Sequence, residues 1–306
     1  MYSFEPTEEQ QMLIDVAKRY AENDLRPAAH EAEESRELPL KLIEKGWELG
    51  VLQASVPEDF GGFGERSVLT NVLAAEELAW GDLAGIRDGD FYVLTGEKRY
   101  VPFADQAEAM VVYAKFDGKT QGFIVTNDAE GLSIGEKEKL MGLNALPLFE
   151  VNFDQVKIPL ENRLGGEDGH DFAPILAASQ ISLAALAVGL AKASFEYSRD
   201  YAKERFVLGS YIAQKQSIAF MLAEMATEIE AIRLLNWEAA WQLDQGDPEA
   251  YHSAYLAYQG AVDMVLMVTD RGVQILGGHG YIREHPVELW YRNGRGIATL
   301  TGLAIV

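Results

Sequence analysis

The sequence predicts a mainly α-helical protein with a small β domain between two helical parts. Amphipathic segments dominate residues 1–85, and short β-rich runs with Asp-Gly turn signals fill residues 86–160. Three long helical segments with short links then occupy most of residues 161–306. Long helices joined in this way indicate an antiparallel bundle of the four-helix type. We therefore expect a helical N-terminal domain, a β domain and a C-terminal helical bundle with these bounds.

The N-terminal domain is expected to begin at a capping box formed by Thr7 and Gln10. Apolar residues then recur with helical spacing, and Pro39 opens a second helix because proline suits the first turn. Residues 56–62 contain a proline and a glycine pair, which predicts a loop. Residues 67–83 return to a helical pattern.

The β domain is predicted from two Asp-Gly pairs, Asp88-Gly89 and Asp117-Gly118, which are typical of hairpin turns. Four β-rich runs accompany them, at residues 91–94, 110–115, 122–126 and 149–156. Apolar and polar residues alternate in the last run, as expected for a half-buried strand.

The bundle is predicted from three long helices, Leu176–Arg205, Tyr211–Leu243 and Pro248–Leu276. A glycine pair, Gly277-Gly278, closes the third helix, and a short helix starts at Pro286. This order places a glycine-rich turn between the last two helices.

Composition excludes several classes of function. The 306 residues contain no cysteine, which excludes disulfides, iron–sulfur clusters and zinc–thiolate sites. The formal net charge of −22 argues against nucleic acid and anionic membranes as partners, because both require a basic surface. No signal peptide is recognisable, and no stretch looks long and charge-free enough to cross a bilayer; residues 173–193 come nearest. We expect a soluble, cytoplasmic protein.

Other candidate sites carry little weight. The five histidines show no metal-ligand spacing, and His279 and His285 are expected to be turn residues. The acidic cluster at residues 167–171 is expected to be a solvated loop rather than a metal site. Neither a Gly-x-Ser-x-Gly nucleophile elbow nor a Gly-x-Gly-x-x-Gly phosphate loop after a strand is present. We predict no metal site.

Several motifs occur in an order that resembles one family. They are Val56-Pro57-Glu58 with Gly61-Gly62, Tyr92 to Lys98, Phe153 to Pro159, Glu204 to Gly209, Gln216 to Met225, and Gln274 to Gly296. In this order they resemble the acyl-CoA dehydrogenases from end to end.

The resemblance implies a flavoprotein that uses FAD to desaturate an acyl-CoA thioester between its α and β carbons. It implies that Arg205, Gln274, Gly277 and Gly278 hold the ADP half of the FAD of a neighbouring subunit, with Tyr100 near the flavin ring. A homo-oligomer, a dimer or tetramer, follows from this, and electron-transfer flavoprotein is an expected partner. The residue types suit these roles, because a guanidinium binds pyrophosphate in a bidentate manner and glycine lets the backbone approach a phosphate. The alternative is structural: Arg205 ends a helix and the glycine pair caps the next one.

The sequence departs from the family at the chemistry. The family's flavin-binding loop, with two helices and the first strands, would fall between Gly85 and Ile86 but has no counterpart here. Because a helix would have to run to Gly85 and join a hairpin directly, we expect that a segment is missing at this junction. The family's Trp-Ile-Thr appears as Tyr100-Val101-Pro102.

The general base is also missing. The family position for the catalytic carboxylate is Thr301, and the alternative position used by some members is Ser179. A hydroxyl does not have the pKa needed to remove a proton α to a thioester. A second hypothesis is therefore a catalytically silent subunit that pairs with a complete homologue.

Overall fold

The computed structural model describes residues 7–53, 83–88 and 91–300. The predicted loop at 56–62 and most of the predicted helix at 67–83 lie outside these ranges. Leu83, the last residue of that predicted helix, instead lies in a strand.

The N-terminal part is helical, with α1 at Glu8–Tyr20, one π-helical turn at Ala21–Leu25, α2 at Arg26–Ser35 and α3 at Leu40–Glu48. The capping box is confirmed, since the Thr7 hydroxyl accepts from the Gln10 amide and the Gln10 side chain accepts from the Thr7 amide. Pro39 precedes α3 as its N-cap.

The β part is one six-stranded sheet. Its strands are β1 Leu83–Asp88, β2 Phe91–Pro102, β3 Ala109–Phe116, β4 Lys119–Thr126, β5 Leu132–Lys137 and β6 Leu148–Pro159, in the spatial order β4-β3-β1-β2-β6-β5. Neighbours pair antiparallel except β1 and β3. Buried residues from β2, β3, β4 and β6, such as Tyr92, Phe123 and Val151, form its core. The four predicted runs lie in strands, whereas β1 and β5 were not predicted.

The Asp117-Gly118 turn is confirmed as a two-residue hairpin. Phe116 pairs with Lys119, and φ is 49° at Asp117 and 77° at Gly118. Two successive positive φ angles are the signature of the tight hairpin turn that Asp-Gly favours.

The chain at Gly85–Ile86 does not form the junction between a helix and a hairpin that the sequence suggested. Leu83 to Asp88 form one continuous strand that pairs residue by residue with Phe91 to Gly96. The expectation that a helix runs to Gly85 is therefore wrong for Leu83 to Gly85. The sheet begins three residues before the predicted boundary, because backbone pairing with β2 overrides the local helical pattern.

The C-terminal part is a bundle of four helices, α4 Ala173–Glu204, α5 Gln216–Asp244, α6 Ala250–Leu276 and α7 Val287–Thr299. Its core contains alanine and branched side chains from all four helices. A two-stranded hairpin, β7 Phe206–Val207 and β8 Ser210–Tyr211, separates α4 from α5. The second helix therefore begins at Gln216, not at the predicted Tyr211.

By length and composition, α4 could cross a membrane, contrary to the expectation from the sequence. It is the one such helix in the described ranges. Buried residues such as Ala184, Ala187 and Ala191 pack it against the other bundle helices. These contacts are those of a central bundle helix.

Candidate functional site

The residues singled out in the bundle lie at two opposite ends of α4. Ser179 is near its start, and Arg205 is the residue at which it ends. At 1.5 Å per residue the two positions are about 39 Å apart, more than the roughly 30 Å diameter of a small domain. One chain therefore cannot bring the predicted base positions and the predicted ADP-binding residues into one compact site.

Arg205 is exposed at the C-terminal end of α4 and has extended backbone angles, φ −73° and ψ 112°. Its amide donates to the Tyr201 carbonyl at 2.9 Å, and its carbonyl accepts from the Ile212 amide at 2.9 Å. The β7–β8 hairpin, which turns at Leu208 and Gly209 with positive φ, thus fixes the backbone there. No side-chain hydrogen bond or ion pair joins the guanidinium to any residue in the described ranges. Its charge is available to a ligand.

The glycine turn after α6 presents open backbone. Gly277 and Gly278 are exposed, and a Cβ built at either would meet nothing within 4 Å. Gly277 has φ 58° and ψ −126°, which glycine adopts without strain, and its amide donates to the Gln274 carbonyl. Gln274 is exposed one turn earlier. Close packing is not the reason for a glycine at 278.

Gly280, at the end of the same turn, is a glycine for a different reason. A Cβ there would lie 2.4 Å from the Val273 carbonyl oxygen of α6. The turn therefore packs closely against α6 at Gly280, whereas Gly277 and Gly278 are exposed.

Two tyrosine–histidine pairs join this turn to α4. The Tyr201 hydroxyl is hydrogen-bonded to Nδ1 of His279 at 3.2 Å, and the Tyr197 hydroxyl to Nδ1 of His285 at 2.8 Å. The two imidazole rings lie 5.4 Å apart at 86°. Because Tyr201 is in the last turn of α4, the pair brings the glycine turn to the helix end that carries Arg205.

Sequence reasoning placed the histidines in the turn but missed the tyrosines. The available signal was the four-residue spacing of Tyr197 and Tyr201, which puts both on one face of α4.

An open polar cavity of about 550 Å³ lies beside these pairs. Its lining residues are Arg26, Glu196, Tyr197, Arg199, Asp200, Tyr201, Glu204 and His285. Burial raises the pKa of Tyr197, and a hydrogen bond from Arg199 lowers the pKa of the Asp200 carboxyl. The lining contains two arginines and three carboxylates, so the cavity carries both signs of charge.

The predicted base positions are at the other end of α4. Thr301 lies outside the described residues, but Leu300 directly before it is buried against Leu183 and Tyr258. Ser179 is one helical turn before Leu183. The structure therefore brings Ser179 near Leu300, the residue directly before Thr301.

Tyr258 fixes the end of α7 at this point. Its hydroxyl donates to the Leu300 carbonyl, and burial raises the pKa of Tyr258 to about 12. A phenol with so high a pKa is neutral at physiological pH and serves as a hydrogen-bond donor.

The loop between β5 and β6 contacts α7. The Leu143 amide donates to Asn293 Oδ1 at 2.8 Å, and the Arg292 guanidinium donates to the Met141 carbonyl at 3.1 Å. Gly142 allows this approach, since a Cβ there would lie 2.4 Å from the Arg292 carbonyl oxygen. Leu143, at φ 57°, packs against the Leu183–Tyr258–Leu300 cluster.

Arg292 also joins the bundle to the N-terminal part. It pairs with Glu33 at 2.5 Å and with Glu288 at 2.8 Å, and Glu33 accepts two hydrogen bonds from Asn144. Glu33 is only 7% exposed. All three parts of the chain meet at this buried ion cluster.

Tyr100 lies in β2 of the six-stranded sheet and not in the helical bundle. The register of β2 against β6 shifts between Lys98 and Val101, and Tyr100 within this irregularity has φ 58°. Positive φ is uncommon for a bulky residue and marks a strained position. The Arg99 guanidinium lies 5.5 Å from the Tyr100 ring centroid. Tyr100 makes no hydrogen bond or ring contact to the other predicted site residues that is seen in the described ranges.

Three domain profiles match the chain in sequence order. "Acyl-CoA dehydrogenase, N-terminal domain" matches residues 7–87, "middle domain" matches 81–156 and "C-terminal domain" matches 173–304. Cyclohex-1-ene-1-carbonyl-CoA dehydrogenase of Syntrophus aciditrophicus is 30% identical, over 97% of this chain and 87% of the relative. The chain belongs to the acyl-CoA dehydrogenase family.

Solved structures agree with this membership. Butyryl-CoA dehydrogenase of Megasphaera elsdenii is 27% identical with a TM-score of 0.85, covering 98% of this chain and 96% of that one. A structure of the electron transferring flavoprotein of Acidaminococcus fermentans is 28% identical with a TM-score of 0.86, with the same coverage. Helical domain, β domain and bundle are the acyl-CoA dehydrogenase fold.

Relatives in the family have a segment that this chain lacks. The alignment with the Syntrophus aciditrophicus dehydrogenase spans 363 positions, more than the 306 residues of the whole chain. The N-terminal and middle profiles overlap at residues 81–87, around the predicted junction at Gly85–Ile86. Within this overlap, the structure describes residues from Leu83 onward, which lie in β1.

The family implies a flavin, which is FAD in acyl-CoA dehydrogenases. The ADP-side positions fit an anionic dinucleotide, because Arg205 has no partner among the described side chains and the Gly277-Gly278 backbone is open. On the flavin-ring side, the family's flavin loop has no recognisable counterpart in the sequence.

Proposed function

We propose that this chain is a FAD-binding acyl-CoA dehydrogenase-type oxidoreductase that acts in a homo-oligomer. The observation that carries the proposal is the exposed Arg205 guanidinium, without a partner in the described ranges, at the same end of the bundle as the open Gly277-Gly278 turn. A guanidinium and bare backbone amides are the groups that bind a pyrophosphate.

The roughly 39 Å between Arg205 and Ser179 supports an oligomer. Arg205, Gln274, Gly277 and Gly278 of one chain would serve the FAD of a neighbour. The surface beside Arg205 supports this arrangement, because Phe206, Leu208 and Tyr211 are 58%, 91% and 46% exposed. Apolar side chains grouped in this way are typical of a protein–protein contact.

The reaction that the family suggests is α,β-desaturation of an acyl-CoA thioester. Bound FAD would supply the hydride acceptor. The part of the chain around Leu183, Tyr258 and Leu300 would form a wall of the acyl site, and buried Tyr258 would hold the end of α7 in place. Neither Ser179 nor Thr301 is a carboxylate, so we expect slow removal of the α-proton and low turnover.

Electron-transfer flavoprotein is the partner we propose for reoxidation. The support is the likeness to a structure of the electron transferring flavoprotein of Acidaminococcus fermentans at a TM-score of 0.86.

A catalytically silent subunit is the second candidate. Two observations favour it: a hydroxyl at Thr301, and a chain shorter than its alignment with a relative. Such a subunit would offer Arg205 and the glycine turn to the FAD of a complete homologue.

Purification of the chain alone separates the two candidates. A yellow protein whose flavin is bleached anaerobically by butyryl-CoA supports the enzyme. A colourless protein that becomes part of a flavin-containing complex when a complete homologue is co-expressed supports the silent subunit. A colourless protein that associates with no homologue contradicts both.

A further inference from the structure

The connector between α6 and α7, residues 277–286, has few contacts that would hold it in place. Tyr281 is 87% exposed and Ile282 40% exposed, so neither packs firmly against the bundle. Segments with so little buried apolar surface open easily. The fixed geometry of the connector must come from a few specific contacts.

An exposed ion pair at 2.8 Å joins Arg283 of the connector to Glu34 of α2. Three further contacts join the connector to α6 and α4. Gly280 lies against the Val273 carbonyl of α6, His279 is hydrogen-bonded to Tyr201, and His285 is hydrogen-bonded to Tyr197. The first joins the turn to the helix it follows. The other two join it to α4, which is remote in sequence.

The Tyr201–His279 pair lies where it can set the distance between the end of α4 and the glycine turn. Tyr201 accepts the Arg205 amide through its carbonyl at 2.9 Å, so Tyr201 and Arg205 share the last turn of α4. His279 directly follows Gly278. This hydrogen bond therefore joins the helix end that carries Arg205 directly to the residue after the open glycine backbone.

We propose that Tyr201 and His279, supported by Tyr197 and His285, are positioning residues for the ADP half of FAD. They contact no reacting atom. They hold the Gly277-Gly278 turn and the end of α4 at one spacing before the dinucleotide binds, which removes an ordering cost from binding. This inference rests on the proposed function, because it assumes that Arg205 and the glycine turn bind one ligand.

The test begins with Tyr201→Phe, which removes one hydroxyl and keeps the ring. We expect FAD affinity, measured by quenching of flavin fluorescence on titration, to fall about three- to tenfold, the effect of one neutral hydrogen bond. Tyr255→Phe is the matched control, since Tyr255 is 50% exposed on α6. It should leave the affinity unchanged.

Conservative rescue distinguishes positioning from general stability. His279→Asn keeps a polar atom near the position of Nδ1 and should retain most of the affinity. His279→Leu fills similar space without a hydrogen-bonding atom and should match Tyr201→Phe. Equal affinities for the two histidine variants would overturn the proposal.

Hydrogen exchange of the flavin-free protein tests the same contact without any ligand. We expect Tyr201→Phe to speed the exchange of the Gly278–Tyr281 amides and to leave the amides of α4 and α6 unchanged. Unchanged exchange in the turn would overturn the proposal even if the affinity fell.

Arg205→Ala separates failure of this inference from failure of the proposed function. If Arg205→Ala weakens FAD binding and Tyr201→Phe does not, the positioning role is wrong and the site stands. If neither change has an effect, or the unmodified protein binds no FAD, the proposed site is wrong, and with it the role of these pairs in cofactor binding.

Discussion

At the scale of single residues, one end of α4 carries the proposed anion-binding residues and the other end carries the two candidate base positions. Arg205 is exposed and its guanidinium has no partner among the described side chains. The backbone of the Gly277-Gly278 turn is open to a ligand. At the other end of α4, the two candidate base positions carry the hydroxyls of Ser179 and Thr301. Cofactor binding and proton removal can therefore be tested separately.

Removal of the charge at Arg205 should weaken FAD binding more than any change at a histidine. A charge-assisted hydrogen bond contributes roughly 1.5–3 kcal/mol, or about ten- to a hundredfold in affinity. Arg205→Ala should purify with depleted flavin, measured by absorbance, while its circular dichroism stays unchanged. Lys192→Ala is the control, because Lys192 is an exposed cation on the same helix. Full flavin occupancy in Arg205→Ala would show that Arg205 only ends a helix.

A carboxylate at position 301 should restore proton abstraction. General-base catalysis typically contributes 10²–10⁴-fold, so Thr301→Glu should raise the anaerobic rate of flavin bleaching by a substantial part of that factor. The rate should rise with pH as the carboxyl group ionises. Thr301→Gln, with similar size and no charge, should stay slow. If the unmodified protein already bleaches as fast as Thr301→Glu, another carboxylate must be the base.

At the scale of elements, α7 is held at its C-terminal end and in its middle by groups that are remote in sequence. Tyr258 of α6 binds the Leu300 carbonyl at its C-terminal end. Arg292, in its middle, binds Glu33 of α2 and the Met141 carbonyl of the β part. The orientation of α7, and so the place from which Thr301 follows, depends on these contacts.

Tyr258→Phe should destabilise the protein at neutral pH by about 0.5–1.5 kcal/mol, through loss of one buried hydrogen bond. The pKa of folded Tyr258 is raised from 10.0 to about 12, so the folded state keeps a proton that the unfolded chain loses. This contribution is complete below pH 10 and is lost as pH rises towards 12. The gap between wild type and variant in urea unfolding should therefore narrow above pH 10. Tyr255→Phe should show no such change, and a constant gap for Tyr258→Phe would contradict the role of burial.

Arg292→Met should be far more damaging than loss of an exposed arginine. It leaves Glu33, 7% exposed, and Glu288 without their cation, which typically costs about 3–5 kcal/mol. Urea unfolding measures the loss. The matched control is Arg283→Met, whose side chain is 62% exposed and paired with Glu34. Similar losses for both variants would show that the buried cluster adds nothing beyond a surface ion pair.

At the scale of the whole molecule, we propose that FAD binding involves more than one chain. The exposed β7–β8 hairpin, with Phe206, Leu208 and Tyr211, borders the end of α4 that would serve a neighbour. The net charge of −22 does not by itself select a partner for this surface.

A charge on this hairpin should break the assembly. Leu208 is 91% exposed and makes no contribution to the bundle core, so Leu208→Asp should leave the fold of each chain intact. Light scattering should show a smaller particle than the unmodified protein, and flavin should be lost with it. Leu186→Asp, at an exposed leucine of α4, tests whether any new surface charge has the same effect. An unchanged mass for Leu208→Asp would place the contact between subunits elsewhere.

The sequence by itself determined the order of the domains, most helices and strands, and the family. Local signals suffice for these features: a capping box at Thr7, an Asp-Gly turn at Asp117, and helical or alternating patterns between them. The ordered motifs identified the family even though the chain is shorter than its alignment with a relative.

The tertiary structure alone decided what joins these elements. Leu83 to Gly85 became strand because pairing with β2 outweighs their helical pattern. The Tyr201–His279 pair, the Arg292–Glu33 pair and the Tyr258–Leu300 contact each connect residues far apart in the chain. No local pattern specifies such contacts, because they depend on how helices pack and not on the spacing along any one helix.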